Sequence, residues 1–208
     1  MTDPQTDRME EFVAGVRRAA DNPEHIWDRR AIVWPLTKQS VVIEVGGYTG
    51  RWALQIAERY HPRLFVFEPQ PWAAAVCRAV LGDAAYVFNF ALGTKSETVS
   101  MAGWETDGCS LVKTDAVHPV DMREMAPLFR HLEVDHIDLM LMNIEGYEYM
   151  LLPYMLDHGI LPDRLMVQFH QFDDPYGIGV ARFHEWLENL GYRVVWTYGI
   201  VLTAWERS

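Results

Sequence analysis

The segment Val41–Gly50, with the sequence VVIEVGGYTG, constrains the fold of this chain more than any other stretch. Its β-branched start predicts a buried strand that contains an acid, Glu44, and the glycines Gly46, Gly47 and Gly50 come after it. The residues after Gly50 predict the start of a helix. A strand, a glycine turn and a helix form the first unit of a doubly wound α/β sheet, in which a nucleotide-like ligand lies across the strand ends. Glycine lets the backbone approach that ligand, and the helix N-terminus offers free N–H groups.

The spacing of the glycines separates two kinds of nucleotide-binding turn. A G-x-G-x-x-G dinucleotide fingerprint that began at Gly46 would need glycine at two positions where this chain has Tyr48 and Arg51. The chain carries instead an acid followed by Gly-x-x-x-Gly. These residues speak against a nicotinamide-dependent oxidoreductase, which stays open as an alternative.

The rest of the chain repeats the alternation of strand and helix. Apolar strands are followed by helices whose apolar residues recur at helical spacing, and this pattern predicts a parallel sheet with right-handed crossovers. The last two strands are joined by so short a link that they must pair antiparallel. The helix after the fourth strand is expected to break at Pro153 and to restart. We therefore expect a doubly wound, mostly parallel seven-stranded α/β sheet with a C-terminal antiparallel hairpin, its strands at 41–45, 64–69, 86–93, 137–142, 165–170, 192–196 and 200–204.

We expect a single domain, because 208 residues suffice for one sizeable core. Residues 36–208 are predicted to form the α/β domain. Residues 1–35 are predicted to form a helical arm, anchored by Trp27 and Trp34, that packs on this domain. A role of the arm as a lid over the ligand site stays open. Residues 102–135 lack a clear strand pattern and are predicted to be an irregular insert that caps an acceptor site.

Composition limits the classes of partner. A net charge of −11 without a Lys- or Arg-rich run argues against a nucleic-acid or anionic-membrane surface. No apolar run approaches the roughly 20 residues of a membrane span, and the N-terminus lacks the features of a signal peptide. The two cysteines, Cys77 and Cys109, form no CxxC pair, so a reducing, cytoplasmic location is expected. The oligomeric state stays open.

A second acid, Glu68, ends the second strand and lies 24 residues after Glu44. A carboxylate at this place can accept hydrogen bonds from both hydroxyls of a ribose, which suits any adenosine-containing cofactor. Pro69, the next residue, is predicted to belong to the same cofactor site. Ala91, near the end of the third strand, is expected beside the adenine, with plain core packing as the alternative.

Polar residues also follow the fourth and fifth strands. Asn143, Glu145 and Glu148 follow the fourth, where a carboxylate could hold a metal, orient an acceptor hydroxyl or act as a base. The structural alternative is helix capping by Asn143 and an acid placed favourably in the first helical turn. His170 ends the fifth strand at the same sheet edge, and an imidazole with an ordinary pKa of about 6.5 could take a hydroxyl proton. We therefore predict His170 and Glu145 as catalytic residues.

Two further functions of this edge stay open. Glu145 and His170 could be two ligands of a divalent metal, but two ligands are too few to define a metal site. Trp104 and Tyr147 could line an acceptor pocket, since a sugar ring stacks well on either side chain. Together with Glu148 they are the predicted acceptor-contacting residues.

Four motifs in this order resemble the FkbM family of S-adenosylmethionine-dependent methyltransferases. They are EVGGYTG at 44–50 (D-V-G-A-N-x-G in the family), FEPQP at 67–71 (F-E-P-x-P), NFALG at 89–93 (x-x-A-L-G) and IDLMLMNIEGYE at 137–148 (I-D-L-L-K-I-D-V-E-G-x-E). The resemblance runs from about Val41 to the C-terminus. It implies a Rossmann-like class I methyltransferase fold, S-adenosylmethionine as cofactor, and O-methylation of a hydroxyl on a sugar or natural-product small molecule. It also implies that the glycine turn with Tyr48 wraps the methionine part of the cofactor and that Glu44 orients the site.

The chain departs from the family pattern at three of these positions. The family Lys is Leu141 here, the family Asp is Asn143, and the first acid is Glu44 instead of Asp. Asn143 remains a predicted cofactor-binding residue, whereas the catalytic prediction rests on Glu145 and His170. Besides the oxidoreductase, a non-catalytic cofactor-binding interaction module stays open as an alternative.

Overall fold

A computed structural model of the chain describes residues 4–20, 34–103, 110–111, 118–170, 179–198 and 202–208. In chain order its helices and strands are α1 (Pro4–Ala20), β1 (Val41–Val45), α2 (Arg51–Tyr60), β2 (Arg63–Phe67), α3 (Pro71–Leu81), β3 (Tyr86–Phe88), β4 (Ala91–Gly93), β5 (Glu97–Met101), β6 (His118–Glu124), α4 (Met125–His131), β7 (Leu139–Met142), α5 (Glu148–Asp157), β8 (Arg164–Gln168), α6 (Gly179–Asn189), β9 (Tyr192–Tyr198) and β10 (Leu202–Arg207).

The main sheet has seven strands in the order β3-β2-β1-β7-β8-β10-β9. The pairs among β3, β2, β1, β7 and β8 are parallel, whereas β10 runs antiparallel to both β8 and β9. The strand order reverses between β1 and β7, and an open α/β sheet binds its ligands at such a switch point. The predicted fold class, a doubly wound, mostly parallel sheet with a C-terminal antiparallel hairpin, is confirmed.

Alternating residues of the strands supply two apolar cores, one on each face of the sheet. In β1 the side chains of Ile43 and Val45 belong to one core, whereas Val42 belongs to the other. The second core is shared with α2 and α3, and α1 packs against both of these helices. None of the helices in the described ranges is both long and apolar enough to cross a membrane.

The chain leaves the main sheet earlier than the sequence predicts. The strand expected at 86–93 is two strands, because β3 pairs with β2 whereas β4 pairs with β6 in a second, three-stranded sheet ordered β4-β6-β5. Asn89 lies between them and donates from Nδ2 to the carbonyls of Glu68 and Pro69, at 3.0 and 2.9 Å. The side chain of Asn89 thus fixes the loop after β2 at the point where the two sheets separate.

The part of 102–135 that the structure describes is more regular than expected. It contains β6 and α4, and β6 buries Val120 and Met122 with exposed residues between them. This period of two is a strand signal, although Pro119 and the short apolar run obscure it in the sequence. The insert is therefore partly a sheet that lies beside the main one.

Helix α5 also differs from the prediction. It continues through Pro153 without a break. Proline at this position removes one helical hydrogen bond, but Leu151, Leu152 and Met155 around it have no exposed surface. The burial of these side chains outweighs the lost hydrogen bond.

Helix α1 is fixed to the domain by its last turns. Val16 is buried in the core shared with α2 and α3. Arg17 donates from Nη2 to the carbonyl oxygens of Ala79 and Val80, at 3.1 and 2.9 Å. These carbonyls lie at the end of α3, where the helix dipole favours a cation. Trp34 is buried in the same core, whereas Trp27 lies outside the described residues.

Candidate functional site

A cleft lies at the carboxyl ends of β1, β2 and β7. It is the place where the switch in strand order predicts a ligand. Eight of the sequence-predicted site residues line it, together with apolar residues from both sheets. The predicted residues in its wall are Gly46, Tyr48, Glu68, Pro69, Ala91, Asn143, Glu145 and Tyr147.

The glycine turn lies against two neighbouring strand ends. The N–H groups of Gly46 and Gly47 donate to the carbonyl of Phe67, at 2.9 and 3.2 Å. Gly46 has φ +87°, and a Cβ there would lie 1.9 Å from the carbonyl oxygen of Asn143. A Cβ on Gly47 would lie 2.2 Å from a methyl of Val66. Glycine is therefore required here by the close approach of Asn143 and of β2, whether or not a ligand is bound.

Glu44 does not line the cleft. Its side chain shares a face of β1 with Val42, is 3% exposed, and accepts a hydrogen bond from the N–H of Ala53 in the first turn of α2. The N-cap residue of that helix, Gly50, has no side chain to cap it. Burial, and then the nearby charge of Glu68, raise the pKa of Glu44 well above its ordinary value. The predicted cofactor contact of Glu44 is thus replaced by a buried helix cap. Gly47 and Gly50 do not line the cleft either.

Glu68 lies in the cleft wall and organises the loops around it. One carboxylate oxygen accepts the N–H of Tyr48 at 2.7 Å, and the other accepts the N–H of Gln70 at 2.8 Å. Burial raises the pKa of Glu68 to about 7, although these two hydrogen bonds oppose the shift. No other described residue donates to these oxygens. Because each carboxylate oxygen has two lone pairs, one acceptor position then remains on each for a ligand.

Asn143 lines the cleft and carries an unpaired polar atom. Its backbone N–H continues the pairing of β7 with β1 by donating to Val45 O at 2.9 Å. Its side-chain Oδ1 is buried and has no hydrogen-bond partner among the described residues. An unpaired buried acceptor costs free energy, and a ligand donor would relieve that cost only after the side chain turns toward the cleft.

Two residues that sequence reasoning did not assign to the site shape it from behind. Cys77, which is fully buried, donates its thiol to the carbonyl of Tyr48 at 2.8 Å and supports the glycine turn. Asn89 holds the loop that carries Glu68. Asn89 is the first residue of the 89–93 motif, and it directly follows a strand that lies next to the Glu68 loop. Its position in the sequence could therefore have indicated this role.

Glu145, Glu148 and His170 form one cluster at the ends of β7 and β8. The His170 ring lies between the two acids, with Nδ1 3.0 Å from Glu148 Oε1 and Nε2 3.1 Å from Glu145 Oε1. The Nε2 atom also lies 3.3 Å from the side-chain amide of Gln168. The structure therefore brings together the two predicted catalytic residues.

The expected protonation of His170 is corrected by this geometry. Burial lowers the pKa of the imidazole, but the hydrogen bonds to Glu145 and Glu148 outweigh burial and raise the pKa to about 10. At neutral pH the ring is an imidazolium with both nitrogens protonated, and it has no lone pair for a substrate proton. A role of His170 as general base, which assumed a pKa of about 6.5, does not fit this arrangement.

The three residues predicted to contact the acceptor differ in their relation to the cleft. Tyr147 lines the cleft, and its hydroxyl lies 3.4 Å from Thr94 Oγ1. Glu148 has no exposed surface and lies behind Glu145, so it cannot contact an acceptor in this structure. Trp104 lies outside the described residues.

The insert contributes to the cleft through residues that sequence reasoning did not single out. Leu111 lines the wall, next to Met101 at the end of β5. Ser110 pairs with Ala102 in an antiparallel bridge and donates from Oγ to the carbonyl of Glu145 at 2.6 Å. The strand end that carries Glu145 is thereby tied to the insert.

The cleft is acidic within the part of the chain that the structure describes. Its lining residues include two acids, Glu68 and Glu145, and no Lys, Arg or His from the described residues. Its remaining surface is mostly apolar, with Leu92, Met101 and Ile144 among the lining side chains. Such a wall favours an uncharged or cationic ligand over one rich in phosphate.

Glu145 and His170 have no third metal ligand among the described residues. There, one group has the spacing of metal ligands: His136, Asp138 and Asp163, at the opposite edge of the sheet. His136 Nε2 lies 3.8 Å from Asp138 and 3.3 Å from Asp163, so the three side chains also form an ion-pair cluster. Asp173 and Asp174 lie outside the described residues.

The comparisons with known proteins concern the fold alone. No protein-family model matches this sequence, and no curated protein sequence is similar to it. Solved structures with a similar fold include a candidate O-methyltransferase from Klebsiella pneumoniae, at 16% identity over 100% of this chain and 92% of that chain, with a TM-score of 0.48. An rRNA methylase from Streptococcus thermophilus is 11% identical over 100% of this chain and 98% of that chain, with a TM-score of 0.47. An O-methyltransferase from Bacillus cereus, in complex with SAH, is 14% identical over 100% of this chain and 92% of that chain, also with a TM-score of 0.47. Similarity at this level carries no information about the substrate or activity of this chain.

Proposed function

We propose that this protein is an S-adenosylmethionine-dependent methyltransferase and that the cofactor binds in the cleft at the ends of β1, β2 and β7. The observation that carries the proposal is Glu68, a buried carboxylate at the end of β2 with one free acceptor position on each oxygen. This is the arrangement that a vicinal pair of ribose hydroxyls requires. The glycine turn adjoins Glu68 in the cleft wall, because the N–H of Tyr48 donates to its carboxylate, and Asn143 lines the cleft as well.

Each part of the cleft suits one part of the cofactor. Glu68 would accept the ribose hydroxyls, and Pro69 with Ala91 would pack against the adenine. The turn with Gly46 and Tyr48 would enclose the methionine end. When bound, S-adenosylmethionine supplies an electrophilic methyl group on a sulfonium sulfur. A nicotinamide cofactor could use Glu68 in the same way, but the missing glycines of the dinucleotide fingerprint disfavour it.

The proposed acceptor is a hydroxyl group of a sugar or natural-product small molecule. This part of the proposal rests on the resemblance of the four motifs to the FkbM family and on the acidic, partly apolar cleft, which disfavours phosphorylated acceptors. Within the cleft, Glu145 is the carboxylate placed to take up the proton that leaves the acceptor hydroxyl, and Tyr147 offers a ring for stacking. A cytoplasmic location and a lid role of α1 remain predictions from the sequence.

Ligand-induced stabilisation tests the cofactor. We expect about 1 mM S-adenosylmethionine to raise the melting temperature, since a ligand at 100 times its Kd stabilises by about 2.7 kcal/mol. Glu68→Ala should abolish most of this effect. Glu206→Ala is the matched control, because Glu206 pairs with Arg164 at the amino end of β8, away from the cleft. An unchanged melting temperature of the wild type would contradict the proposal.

Two parallel measurements separate the alternatives. A melting temperature raised by NADH and unmoved by S-adenosylmethionine would favour the oxidoreductase. Formation of S-adenosylhomocysteine with any acceptor in a panel of sugars and polyols would exclude a non-catalytic module. Cofactor binding that Glu68→Ala leaves intact would remove the ribose assignment while leaving the cleft itself as the binding site.

A further inference from the structure

We infer that Glu148 and His170 act together as positioning residues, which hold the carboxylate of Glu145 at the wall of the cleft in one orientation. This inference rests on the proposed function, in which Glu145 takes up the acceptor proton. It reassigns both partners: Glu148 was predicted to touch the acceptor and His170 to remove its proton. The side chain of His170 contacts those of Glu145 and Glu148 at the ends of β7 and β8.

Glu148 is the fixed end of the arrangement. Its side chain has no exposed surface. One carboxylate oxygen accepts the N–H of Gly146 at 2.9 Å, and the other accepts the N–H of His170 at 2.6 Å. A buried carboxylate is costly unless such donors surround it. The single side chain therefore binds the loop after β7 to the end of β8.

His170 transmits this fixed position to Glu145. Each ring nitrogen faces a carboxylate oxygen of a different acid, at 3.0 Å for Glu148 and 3.1 Å for Glu145. Both contacts are satisfied only when both nitrogens carry hydrogen, because a carboxylate is an acceptor. The ring is thus a cation between two anions, and one oxygen of Glu145 is held by it. No described residue hydrogen-bonds the second oxygen of Glu145, and Glu145 is one of the residues that line the cleft.

The backbone of Glu145 shows that its place is imposed by its surroundings. Its φ of +53° is left-handed, a conformation that costs a non-glycine residue about 1 kcal/mol or more. The carbonyl of the same residue accepts the hydroxyl of Ser110 from the insert. Main-chain strain at a cleft wall persists where neighbouring contacts over-determine it. Here those contacts are Ser110 on one side and the pair His170 and Glu148 on the other.

Nitrogen NMR on histidine-labelled protein tests the inference directly. The His170 ring signals are identified by their absence in His170→Gln. We expect both ring nitrogens of the wild type to have protonated shifts from pH 6 to pH 9. Glu148→Gln keeps the shape of the side chain but removes its charge, and it should lower the pH midpoint of His170 by at least about 1 unit, a tenfold change in proton affinity. Glu145→Gln should shift it in the same direction.

Glu206→Gln is the matched control, since it removes a paired carboxylate at the opposite end of β8. It should leave the His170 signals unchanged. A wild-type His170 that titrates near pH 6.5, or one that is insensitive to both acid variants, overturns the inference. If Glu148→Gln does not fold, the His170 midpoint in Glu145→Gln decides the question, because Glu145 is the partly exposed acid of the cluster. Binding of S-adenosylmethionine to the wild type is measured separately, so failure of the proposed function is distinguishable from failure of the positioning role.

Discussion

At the scale of single residues, Glu68 combines a buried position with two free acceptor sites and a pKa raised to about 7 by burial. Ligand hydroxyls that donate to its carboxylate would favour the ionised form and lower this pKa in the complex. The free protein must then lose a proton on binding when the pH is below about 7. We therefore expect cofactor affinity to increase as the pH rises through 7, by up to tenfold per pH unit.

Titration calorimetry with S-adenosylhomocysteine at pH 6, 7 and 8 measures this dependence. Glu68→Gln is the matched variant, because it keeps the shape of the side chain and cannot ionise. It should bind more weakly and lose the portion of the pH dependence that Glu68 contributes. An affinity of the wild type that falls between pH 6 and pH 8 would contradict the role of Glu68.

Gly46 is the residue whose substitution should be least tolerated. A Cβ would lie 1.9 Å from a backbone carbonyl, and φ is +87°. Because that neighbour cannot move without shifting β7, we expect Gly46→Ala to lower the free energy of unfolding by about 3 kcal/mol or more.

Gly159→Ala is the control for Gly46→Ala. Gly159 also has a positive φ, +67°, but a Cβ there would meet nothing within 4 Å. Gly159→Ala should lower the free energy of unfolding by about 1 kcal/mol, because alanine is strained in the left-handed conformation. Urea unfolding measures both variants. Equal losses would show that the close approach at Gly46 contributes nothing to stability.

At the scale of helices and strands, the sequence predicts the main sheet well and the second sheet poorly. Period-two and period-3.6 patterns mark the strands and helices whose faces are buried on the sheet. The strand expected at 86–93 was wrong as one element, because the apolar residues of β3 and β4 continue each other while their partners differ. A pattern of hydrophobicity reports burial, but it does not report which sheet a strand joins.

The same limit applies to the candidate site. Residues at strand ends were assigned to one edge, and the structure brings eight of them to one cleft. The direction of each side chain was harder to predict. Glu44 shares a face of β1 with Val42 and caps α2, and Glu148 faces inward toward His170. These outcomes depend on tertiary contacts, of Glu44 with the first turn of α2 and of Glu148 with His170, that the sequence does not reveal.

The attachment of α1 gives a prediction at this scale. Arg17 donates to two carbonyls at the end of α3, whereas its neighbour Arg18 donates to none there. A cation at a helix C-terminus is stabilising, and each hydrogen bond from a charged group contributes about 1 kcal/mol or more before solvent exposure reduces it. We expect Arg17→Ala to lower the free energy of unfolding by about 1 kcal/mol.

Arg18→Ala is the control, with an expected change below about 0.5 kcal/mol. Guanidinium unfolding of the two variants under the same conditions measures the difference. If Arg18→Ala costs as much as Arg17→Ala, the contact between α1 and α3 is not what holds the arm.

At the scale of the whole molecule, His170 makes stability depend on pH. Its pKa rises from an ordinary value of about 6.5 in the unfolded chain to about 10 in the fold. The native state therefore holds this proton more tightly, and the stabilisation is complete below about pH 6.5. It is lost as the pH rises through 10, at up to about 1.4 kcal/mol per pH unit. Burial also raises the pKa values of Glu44, Glu68 and Cys77. These groups are unchanged in His170→Gln, so the difference between that variant and the wild type isolates the contribution of His170.

Urea unfolding of the wild type and of His170→Gln between pH 7 and pH 9.5 tests this dependence. The wild type should lose stability across the window, and the variant should show a flatter profile. A wild-type profile as flat as that of the variant would contradict the doubly bonded imidazolium.

In the proposed complex, one cleft at the switch point of the sheet holds the cofactor with Glu68 at the ribose. A crystal structure with S-adenosylhomocysteine bound would show whether the ligand lies there. We expect the two ribose hydroxyls within hydrogen-bond distance of Glu68, the adenine beside Ala91, and the sulfur facing Asn143 and Glu145. A ligand bound elsewhere, or bound in this cleft with its ribose away from Glu68, would contradict the account.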